Sequence, residues 1–299
     1  MNDPGFGKTI LKNIEDEGAP GRLLEPYRVL DLTEGGVQIC GRILADLGAD
    51  VIKVEPPDGS PTRNTGPFYR GQMDKEKSLF WFAYNANKRS ITLNINNTDG
   101  QDMFRRLVEG ADLVLESFTP GYLDRLGLGY AVLSKLNPAI IMTSITAFGQ
   151  NGPKASYKSC DLTSWASGGI LYVTGDPDRP PCWVSFPQAS LFAGAHAAAA
   201  SLLALFHRRT LGEGQQIDVS TQECVIRTTT GAALVREFTG QEIIRAGNGW
   251  WVGTSGHRAK VRMGFPCKDG FVAVNLFGGS NAGIVNATRR TVAWMVSWA

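Results

Sequence analysis

The sequence predicts an α/β fold, with a Rossmann-like parallel sheet in a large domain followed by the start of a smaller α+β domain. Short apolar runs alternate with segments of helical apolar spacing, which is typical of a parallel sheet covered by helices. The alternation extends from about residue 28 to about residue 225, and loops rich in tryptophan and glycine follow. We therefore expect a flexible extension over 1–24, the large domain over 25–225, and a linker with a partial small domain over 226–299.

The first elements have the order strand, turn, helix, strand. Arg28–Leu32 and Asp50–Glu55 are apolar runs, and Val37–Leu47 carries apolar residues at helical spacing. The turn Glu34–Gly36 lies where open α/β sheets bind nucleotide-like ligands. It lacks the G-x-G-x-x-G fingerprint, so an NAD-binding oxidoreductase is only a weak alternative.

The same alternation continues along the rest of the chain. Thr98 is the expected N-cap of a helix that runs to Val108. In the small domain, the turn Cys267–Gly270 separates two apolar runs, Val261–Phe265 and Phe271–Leu276, which predicts a β-hairpin. The remaining patterns predict strands over 90–95, 112–116, 139–145 and 216–220. They also predict helices over 123–136, with a glycine interruption at Gly127–Gly129, and over 161–171 and 194–209.

Composition and charge exclude several classes of protein. The chain has 299 residues, of which 43% are hydrophobic and 19% charged, and its formal net charge is +2, so no nucleic-acid partner is expected. Its five cysteines include no C-x-x-C pair, so neither a metal site nor a disulfide framework is expected. The first residues do not resemble a signal peptide, and no apolar run approaches the roughly 20 residues that span a bilayer. We therefore expect a cytoplasmic protein without a membrane partner.

The loop Thr146–Pro153 follows the apolar run 139–145 and carries two glycines, which let backbone approach a ligand closely. A loop of this kind at the carboxyl edge of a parallel sheet is a candidate binding site. It contains one of five ordered blocks, and through these blocks the chain resembles the family III CoA-transferases, the formyl-CoA and carnitine-CoA transferase group with the α-methylacyl-CoA racemases as cousins. The blocks are Val29–Thr33 with Leu47–Glu55, Asn87–Leu93, Phe118–Gly127, Phe148–Pro153, and a looser one from Ser167–Gly169 through Thr174–Gly175 to Gly212–Gln215.

The resemblance implies transfer of coenzyme A between an acyl-CoA thioester and a small carboxylic acid, with CoA as a substrate and no metal. It also implies an interlocked dimer, either a homodimer or a heteromer with a catalytic paralogue. Members of the family use a C-terminal return segment for this assembly, and we expect this sequence to lack it. The implied CoA-binding positions are Gly35, Leu93, Phe118 beside the adenine or pantetheine, Arg125 and Leu126 near it, and Lys158 toward the phosphates.

The resemblance also locates the nucleophile, and here the sequence departs from the family. The family's nucleophilic aspartate lies four residues before a glycine that opens an alanine-rich helix. That glycine is Gly194 in this chain, so the position is occupied by Ser190. A serine hydroxyl is neutral and needs a base, and its acyl ester is lower in energy than a thioester. We therefore expect Ser190 to be inactive as the nucleophile of CoA transfer.

Several alternatives follow from Ser190. The first alternative is that the chain is a non-catalytic CoA-binding or architectural subunit, and that a paralogue with the aspartate performs the chemistry. The resemblance offers a precedent in the paired arrangement of benzylsuccinate-type CoA-transferases. A hydrolase-like pair of Ser190 with His196 as base is less favoured than a helix-start role for the serine. Asp161 is expected to form structural hydrogen bonds. A racemase would need a histidine just before Asp161 and an aspartate at position 190, where this sequence has Cys160 and Ser190.

Overall fold

The computed structural model describes residues 22–228, 234, 236–238, 240, 242–252, 259–274 and 282–297. Almost all of the expected extension over 1–24 lies outside the described residues. The chain divides into two compact units, and the larger one provides most of the sheet structure. The larger unit is Met1–Ile170 with Val184–Thr229, and the smaller unit is Leu171–Trp183 with Thr230–Ala299.

The larger unit is built on a six-stranded sheet whose neighbouring strands are all parallel. The strand order is β3-β2-β1-β4-β5-β6, which is the Rossmann order with a reversal between β1 and β4. The predicted α/β class with a parallel sheet is therefore confirmed. The strands are β1 (Arg28–Leu32), β2 (Asp50–Glu55), β3 (Arg89–Thr92), β4 (Leu113–Glu116), β5 (Ile141–Thr146) and β6 (Gln216–Ser220).

The helices cover the sheet on both faces. Successive strand residues point to opposite faces, so Val29 belongs to one core cluster and Leu30 to the other. Residues of α1, α8 and α9 complete the first cluster, and residues of α3, α4 and α5 complete the second. In chain order the helices up to residue 228 are α1 (Ile39–Asp46), α2 (Leu79–Asn85), α3 (Thr98–Glu109), α4 (Tyr122–Arg125), α5 (Tyr130–Leu136), α6 (Asp161–Ser167), α7 (Ile170–Val173), α8 (Gln188–Leu211) and α9 (Thr221–Thr228).

Helix α8 is the core helix of the larger unit. It has 24 residues and is apolar and long enough to cross a membrane, so the expectation that no apolar run approaches this length is wrong. The core helix of a soluble protein meets the same two criteria. Ala193 and Ala197 are fully buried in the first cluster. Gly194 lets the helix approach α1 closely, because a Cβ at this position would lie 2.4 Å from Cγ2 of Ile39 and 3.0 Å from the carbonyl oxygen of Val37.

Several predicted boundaries differ from the structure. The N-cap of α3 is Asn97 rather than Thr98, because its side chain accepts a hydrogen bond from the backbone N of Gly100 over 2.7 Å. The helix predicted over 161–171 is divided into two by Gly169, whose φ of 87° lies in the left-handed region. The glycine interruption expected at Gly127–Gly129 is present, and Gly127 has a φ of 66°. The helix predicted over 194–209 begins earlier, at residue 188.

The smaller unit contains two antiparallel strand pairs and a helix. Strands β7 (Gly249–Val252) and β8 (Ala259–Arg262) form one pair, and β9 (Gly264–Cys267) and β10 (Gly270–Ala273) form the other. The predicted hairpin turn at residues 267–270 is present, but the strand predicted over 261–265 divides between β8 and β9. Helix α10 spans Ala282–Ser297. The end of the second predicted hairpin strand, at residues 275 and 276, lies outside the described residues, and the expected lack of a return segment stays a prediction.

Candidate active site

A cavity of about 740 Å³ opens in the larger unit at the carboxyl edge of the sheet. The loops after β1, β4 and β5 and the starts of α6 and α8 form its wall. The strand order reverses between β1 and β4, and open α/β sheets bind their ligands at this switch point. The polar and aromatic residues of the wall include Glu34, Ser117, Phe118, Thr146, Tyr157, Lys158, Asp161 and Ser190.

Ser190 and Asp161 meet in this wall, although 29 residues separate them in the sequence. Ser190 lies in the first turn of α8, and Asp161 is the first residue of α6. The backbone N and the Oγ of Ser190 both donate hydrogen bonds to Oδ1 of Asp161, over 2.9 and 2.8 Å. Gly36 makes room for the serine, because a Cβ at this glycine would lie 2.8 Å from the Ser190 Cβ. The hydroxyl of Ser190 is therefore held as a donor to a carboxylate.

His196 bonds to its own helix rather than to Ser190. Its Nδ1 lies 2.8 Å from the carbonyl oxygen of Phe192, and the histidine is exposed. A serine nucleophile needs a base that accepts its proton, and the acceptor for Ser190 is Asp161 Oδ1. The geometry thus gives no support to the hydrolase-like pair of Ser190 and His196.

Two buried polar atoms of the cavity wall have no hydrogen-bond partner. They are Oγ1 of Thr146, at the end of β5, and Oδ2 of Asp161. An unpaired buried polar atom costs about 1–3 kcal/mol, and folded proteins leave few of them. Both atoms are therefore candidates for contact with a ligand that enters the cavity.

Glu34 brings a second carboxylate to the wall, but its oxygens are already occupied. Its Oε2 accepts hydrogen bonds from the hydroxyls of Ser60 and Thr62, the latter over 2.9 Å. The ammonium group of the buried Lys53 lies 3.6 Å from Oε1. These partners hold the turn after β1 in place. Because they occupy both oxygens of Glu34, this carboxylate can accept few further hydrogen bonds, unlike Asp161.

The structure brings two of the six expected CoA-binding residues to the cavity together with Ser190. Phe118 and the exposed Lys158 lie in its wall. Leu93 and Leu126 do not line it, but both pack against the second core cluster, as Phe118 does. A single apolar layer therefore supports these three side chains.

Arg125 and Gly35 lie beside the wall rather than in it. The guanidinium of Arg125 is 5.8 Å from the ring centroid of Tyr122, which stacks on Phe118 with centroids 4.7 Å apart. Tyr122 thus links Arg125 to the cavity, and our sequence analysis missed it, although its spacing from Phe118 on a loop leading into a helix was a usable signal. The backbone N of Gly35 donates to Thr62 Oγ1 over 3.0 Å.

Two titratable groups near the cavity have shifted pKa values. Burial raises the pKa of Glu116 to about 7, and its Oε2 accepts a hydrogen bond from the backbone N of Phe118. Hydrogen bonds from the backbone and hydroxyl of Thr163 lower the pKa of the Cys160 thiol, which is exposed in the wall. Within the described ranges, no group of three or more His, Cys, Asp or Glu side chains is arranged to hold a metal ion.

Comparison with known proteins relates this chain to one enzyme family. The sequence model of the family described as CoA-transferase family III matches residues 24–290. The chain is 38% identical over 261 residues to the succinyl-CoA:(R)-benzylsuccinate CoA-transferase subunit BbsE of Thauera aromatica. The aligned region covers 87% of this chain and 62% of BbsE. It is 34% identical over 272 residues to the formyl-CoA:oxalate CoA-transferase of Streptomyces coelicolor, covering 86% of this chain and 65% of that protein.

A solved structure of a similar protein shares the fold of this chain. A CAIB/BAIF family protein from Brucella suis superposes with a TM-score of 0.72 and 34% sequence identity, covering 80% of this chain and 65% of that one. The matched part of this chain spans less than two thirds of the length of BbsE and of the Brucella suis protein. The resemblance carried by the five sequence blocks is confirmed, and the chain belongs to CoA-transferase family III.

Proposed function

We propose that this protein transfers CoA between an acyl-CoA thioester and a small carboxylic acid. The observation that carries the proposal is the carboxylate of Asp161, which Ser190 binds in the cavity wall. The family's nucleophile position, occupied by Ser190, lies in the wall of the 740 Å³ cavity and is hydrogen-bonded to a carboxylate of the same wall. An acidic side chain suits this exchange, because an acyl anhydride and a thioester are both activated acyl groups and the intermediate steps stay close in energy.

The residues beside the cavity suit CoA as the substrate. Phe118 and Tyr122 offer a stacked aromatic surface for a purine or for pantetheine, and Arg125 adds a guanidinium that pairs with phosphate. Lys158 offers a second cation to the phosphates from the cavity wall. Leu93, Leu126 and Gly35 support this surface and the first turn without lining the cavity.

A second candidate function is a non-catalytic CoA-binding or architectural subunit. The observation that favours it is Ser190 at the nucleophile position, and the similar protein BbsE is itself named as a subunit. In that arrangement a paralogue with the aspartate performs the chemistry. An NAD-binding oxidoreductase, the third alternative, has only the strand order in its favour, because the first turn lacks the glycine fingerprint.

Assembly and location complete the proposal. We infer a homodimer, or a heteromer with a catalytic paralogue, that works in the cytoplasm without a membrane or nucleic-acid partner. The net charge of +2 supports the absence of a nucleic-acid partner, and the packing of Ala193, Ala197 and Leu205 of α8 in the first core cluster supports the absence of a membrane partner. Light scattering after gel filtration, with and without the paralogue, measures the assembly.

The test is a transfer assay with the purified full-length chain. Succinyl-CoA is the donor, a panel of small carboxylic acids supplies acceptors, and the products are resolved by mass spectrometry. Transfer by the chain alone supports the first function. Transfer only in the presence of the paralogue, together with CoA binding by this chain and activation by Ser190→Asp, supports the subunit function instead.

A further inference from the structure

We propose that Asp161 is the carboxylate that accepts the acyl group, and that Ser190 positions it. This inference rests on the proposed function and deepens it, because it assigns the reacting side chain of a family member that lacks an acid at position 190. The candidate acid is identified by its contacts in the cavity wall, since Ser190 is no carboxylate and the segment 186–192 contains no acidic residue.

The first step of the argument is the geometry of the pair. Two donors of Ser190, its backbone N and its Oγ, bind the same oxygen of Asp161 over 2.9 and 2.8 Å. Two hydrogen bonds to one carboxylate oxygen hold the Asp161 side chain in place. The residue at the family's nucleophile position thus holds a carboxylate next to the place where the family has its own.

The second step is the free oxygen of Asp161. Its Oδ2 is shielded from solvent and has no hydrogen-bond partner, whereas the Asp161 side chain as a whole is half-buried and lies in the cavity wall. A carboxylate oxygen without donors keeps its electron density for attack, and its burial is costly until a bond forms. The side chain that carries Oδ2 lies in the wall of the cavity that the thioester enters.

The third step is the comparison with the other acids near the cavity. Glu34 accepts hydrogen bonds from two hydroxyls and lies 3.6 Å from the ammonium group of Lys53, so its oxygens are engaged. Burial raises the pKa of Glu116 to about 7, and its carboxyl group binds the backbone N of Phe118 rather than lining the cavity. Of the carboxylates in the described wall, Asp161 has the oxygen without a partner.

The reaction balances with no further reactant. Asp161 attacks the acyl carbonyl of the donor, the C–S bond breaks, and CoA thiolate leaves an acyl-aspartyl anhydride. The thiolate then attacks Cγ of Asp161, which releases the donor acid and forms an aspartyl-CoA thioester. The acceptor carboxylate repeats both steps in reverse order and regenerates the free Asp161 carboxylate. The unpaired hydroxyl of Thr146 is available to donate to the carbonyl oxygen as charge develops on it.

The experiment traps the intermediate on the full-length chain. The protein is incubated with succinyl-CoA and hydroxylamine, digested, and mapped by mass spectrometry for aspartyl and glutamyl hydroxamate. We expect a succinyl-CoA-dependent hydroxamate at Asp161. Asp161→Asn removes it and lowers exchange by at least about a hundredfold, whereas Asp161→Glu retains a carboxylate and a hydroxamate at the same position.

The positioning role of Ser190 and the specificity of the effect need their own variants. Ser190→Ala should lower kcat roughly tenfold or more with little change in KM for succinyl-CoA, and the hydroxamate should stay at Asp161. Asp102→Asn is the control, because Asp102 is an exposed residue of α3 that forms an ion pair with Arg105 and does not line the cavity. The exchange rate of this variant should match that of the unmodified protein. Circular dichroism and CoA binding verify the fold of each variant.

The outcomes separate this inference from the proposed function. Exchange with a hydroxamate at Glu34 or another acid, or full exchange by a folded Asp161→Asn variant, overturns the assignment of Asp161 and leaves CoA transfer intact. The absence of both exchange and hydroxamate in a chain that still binds CoA overturns the proposed transferase activity of this chain, and the assignment with it.

Discussion

The backbone N of Phe118 donates a hydrogen bond to Oε2 of Glu116 over 2.8 Å. This contact joins the last residue of β4 to the loop that lines the cavity. Glu116 is buried, and its burial, with repulsion from Asp124 and Asp218, raises its pKa from 4.5 to about 7. The loop that carries Phe118 is therefore anchored by an acid that titrates near neutral pH.

This titration predicts a specific pH dependence of stability. Because the pKa of Glu116 is higher in the folded protein than in the unfolded chain, its stabilising contribution is complete below pH 4.5 and is lost as the pH rises through about 7. Each pKa unit corresponds to about 1.4 kcal/mol, so the full loss is about 3 kcal/mol. Glu116→Gln keeps an acceptor for Phe118 but has no charge.

Urea denaturation of both proteins at about pH 5 and about pH 8 measures this effect, since groups common to both cancel. We expect the free energy of unfolding of the unmodified protein to fall relative to that of the variant as the pH rises. A difference that does not change with pH would show that Glu116 titrates normally.

The close approach of α8 to the first turn predicts a cost for any side chain at Gly194. In Gly194→Ala the new Cβ would lie 2.4 Å from Ile39 Cγ2 and 3.0 Å from the Val37 carbonyl oxygen. Overpacking of this kind costs about 1–3 kcal/mol. Ala195→Ser, at the adjacent exposed position, is the matched control and should change stability little. Equal stabilities of the two variants would contradict the packing.

The stacked pair of Phe118 and Tyr122 predicts a loss of CoA affinity on truncation. Stacking of a base on an aromatic ring is worth about 1–3 kcal/mol, so Phe118→Ala should raise the Kd for CoA roughly tenfold or more, as measured by calorimetry. Phe206→Ala is the control, because Phe206 is an exposed aromatic residue of α8 that does not line this cavity. Unchanged binding in Phe118→Ala would remove this residue from the proposed CoA site.

The ion pair of Glu55 and Arg63 predicts a stability effect with the opposite pH dependence. Burial opposes ionisation of Glu55, but hydrogen bonds from Arg63, Ser90 and the backbone of Ser60 outweigh it and lower its pKa to about 2. Arg63→Met should cost roughly 3 kcal/mol at neutral pH, because it leaves a buried carboxylate without its partner. The lowered pKa contributes stability above pH 4.5 that is lost as the pH falls through about 2.

Thermal or urea unfolding of Arg63→Met across this acidic range tests the effect. The control is Lys77→Met, which removes a more exposed pair, with the ammonium nitrogen of Lys77 3.6 Å from Oδ2 of Asp74. This variant should cost less than about 1 kcal/mol. Similar costs for both variants at neutral pH would mean that Glu55 and Arg63 form an ordinary surface pair.

The fold was predictable from sequence where burial dictated the pattern. The runs around Val29, Val51 and Ile141 are apolar because both faces of a parallel strand are covered, so these strands were predicted closely. The ends of the helices were harder to predict, because neighbouring residues can serve equally well as caps. Asn97 and Thr98 are both good caps, and only the hydrogen bond from Gly100 selects Asn97. The early start of α8 has no strong signal, since Pro187 precedes it without a polar side-chain cap.

The site was predictable only in part. Phe118, Lys158 and Ser190 were predicted from the family resemblance, and they line one cavity. The contact of Ser190 with Asp161 joins two helix starts far apart in the chain, and no local pattern encodes it. The unpaired Thr146 hydroxyl is likewise a property of the packed structure, because a free atom is recognised only when all its neighbours are known.

Isotope exchange tests the central claim most directly. The purified full-length chain is incubated with succinyl-CoA and isotopically labelled succinate, and the label in succinyl-CoA is followed with time. A transferase that works through a side-chain carboxylate predicts that label enters succinyl-CoA without any second protein. If the chain binds CoA in the same buffer but the thioester stays unlabelled, this cavity does not catalyse CoA transfer by itself.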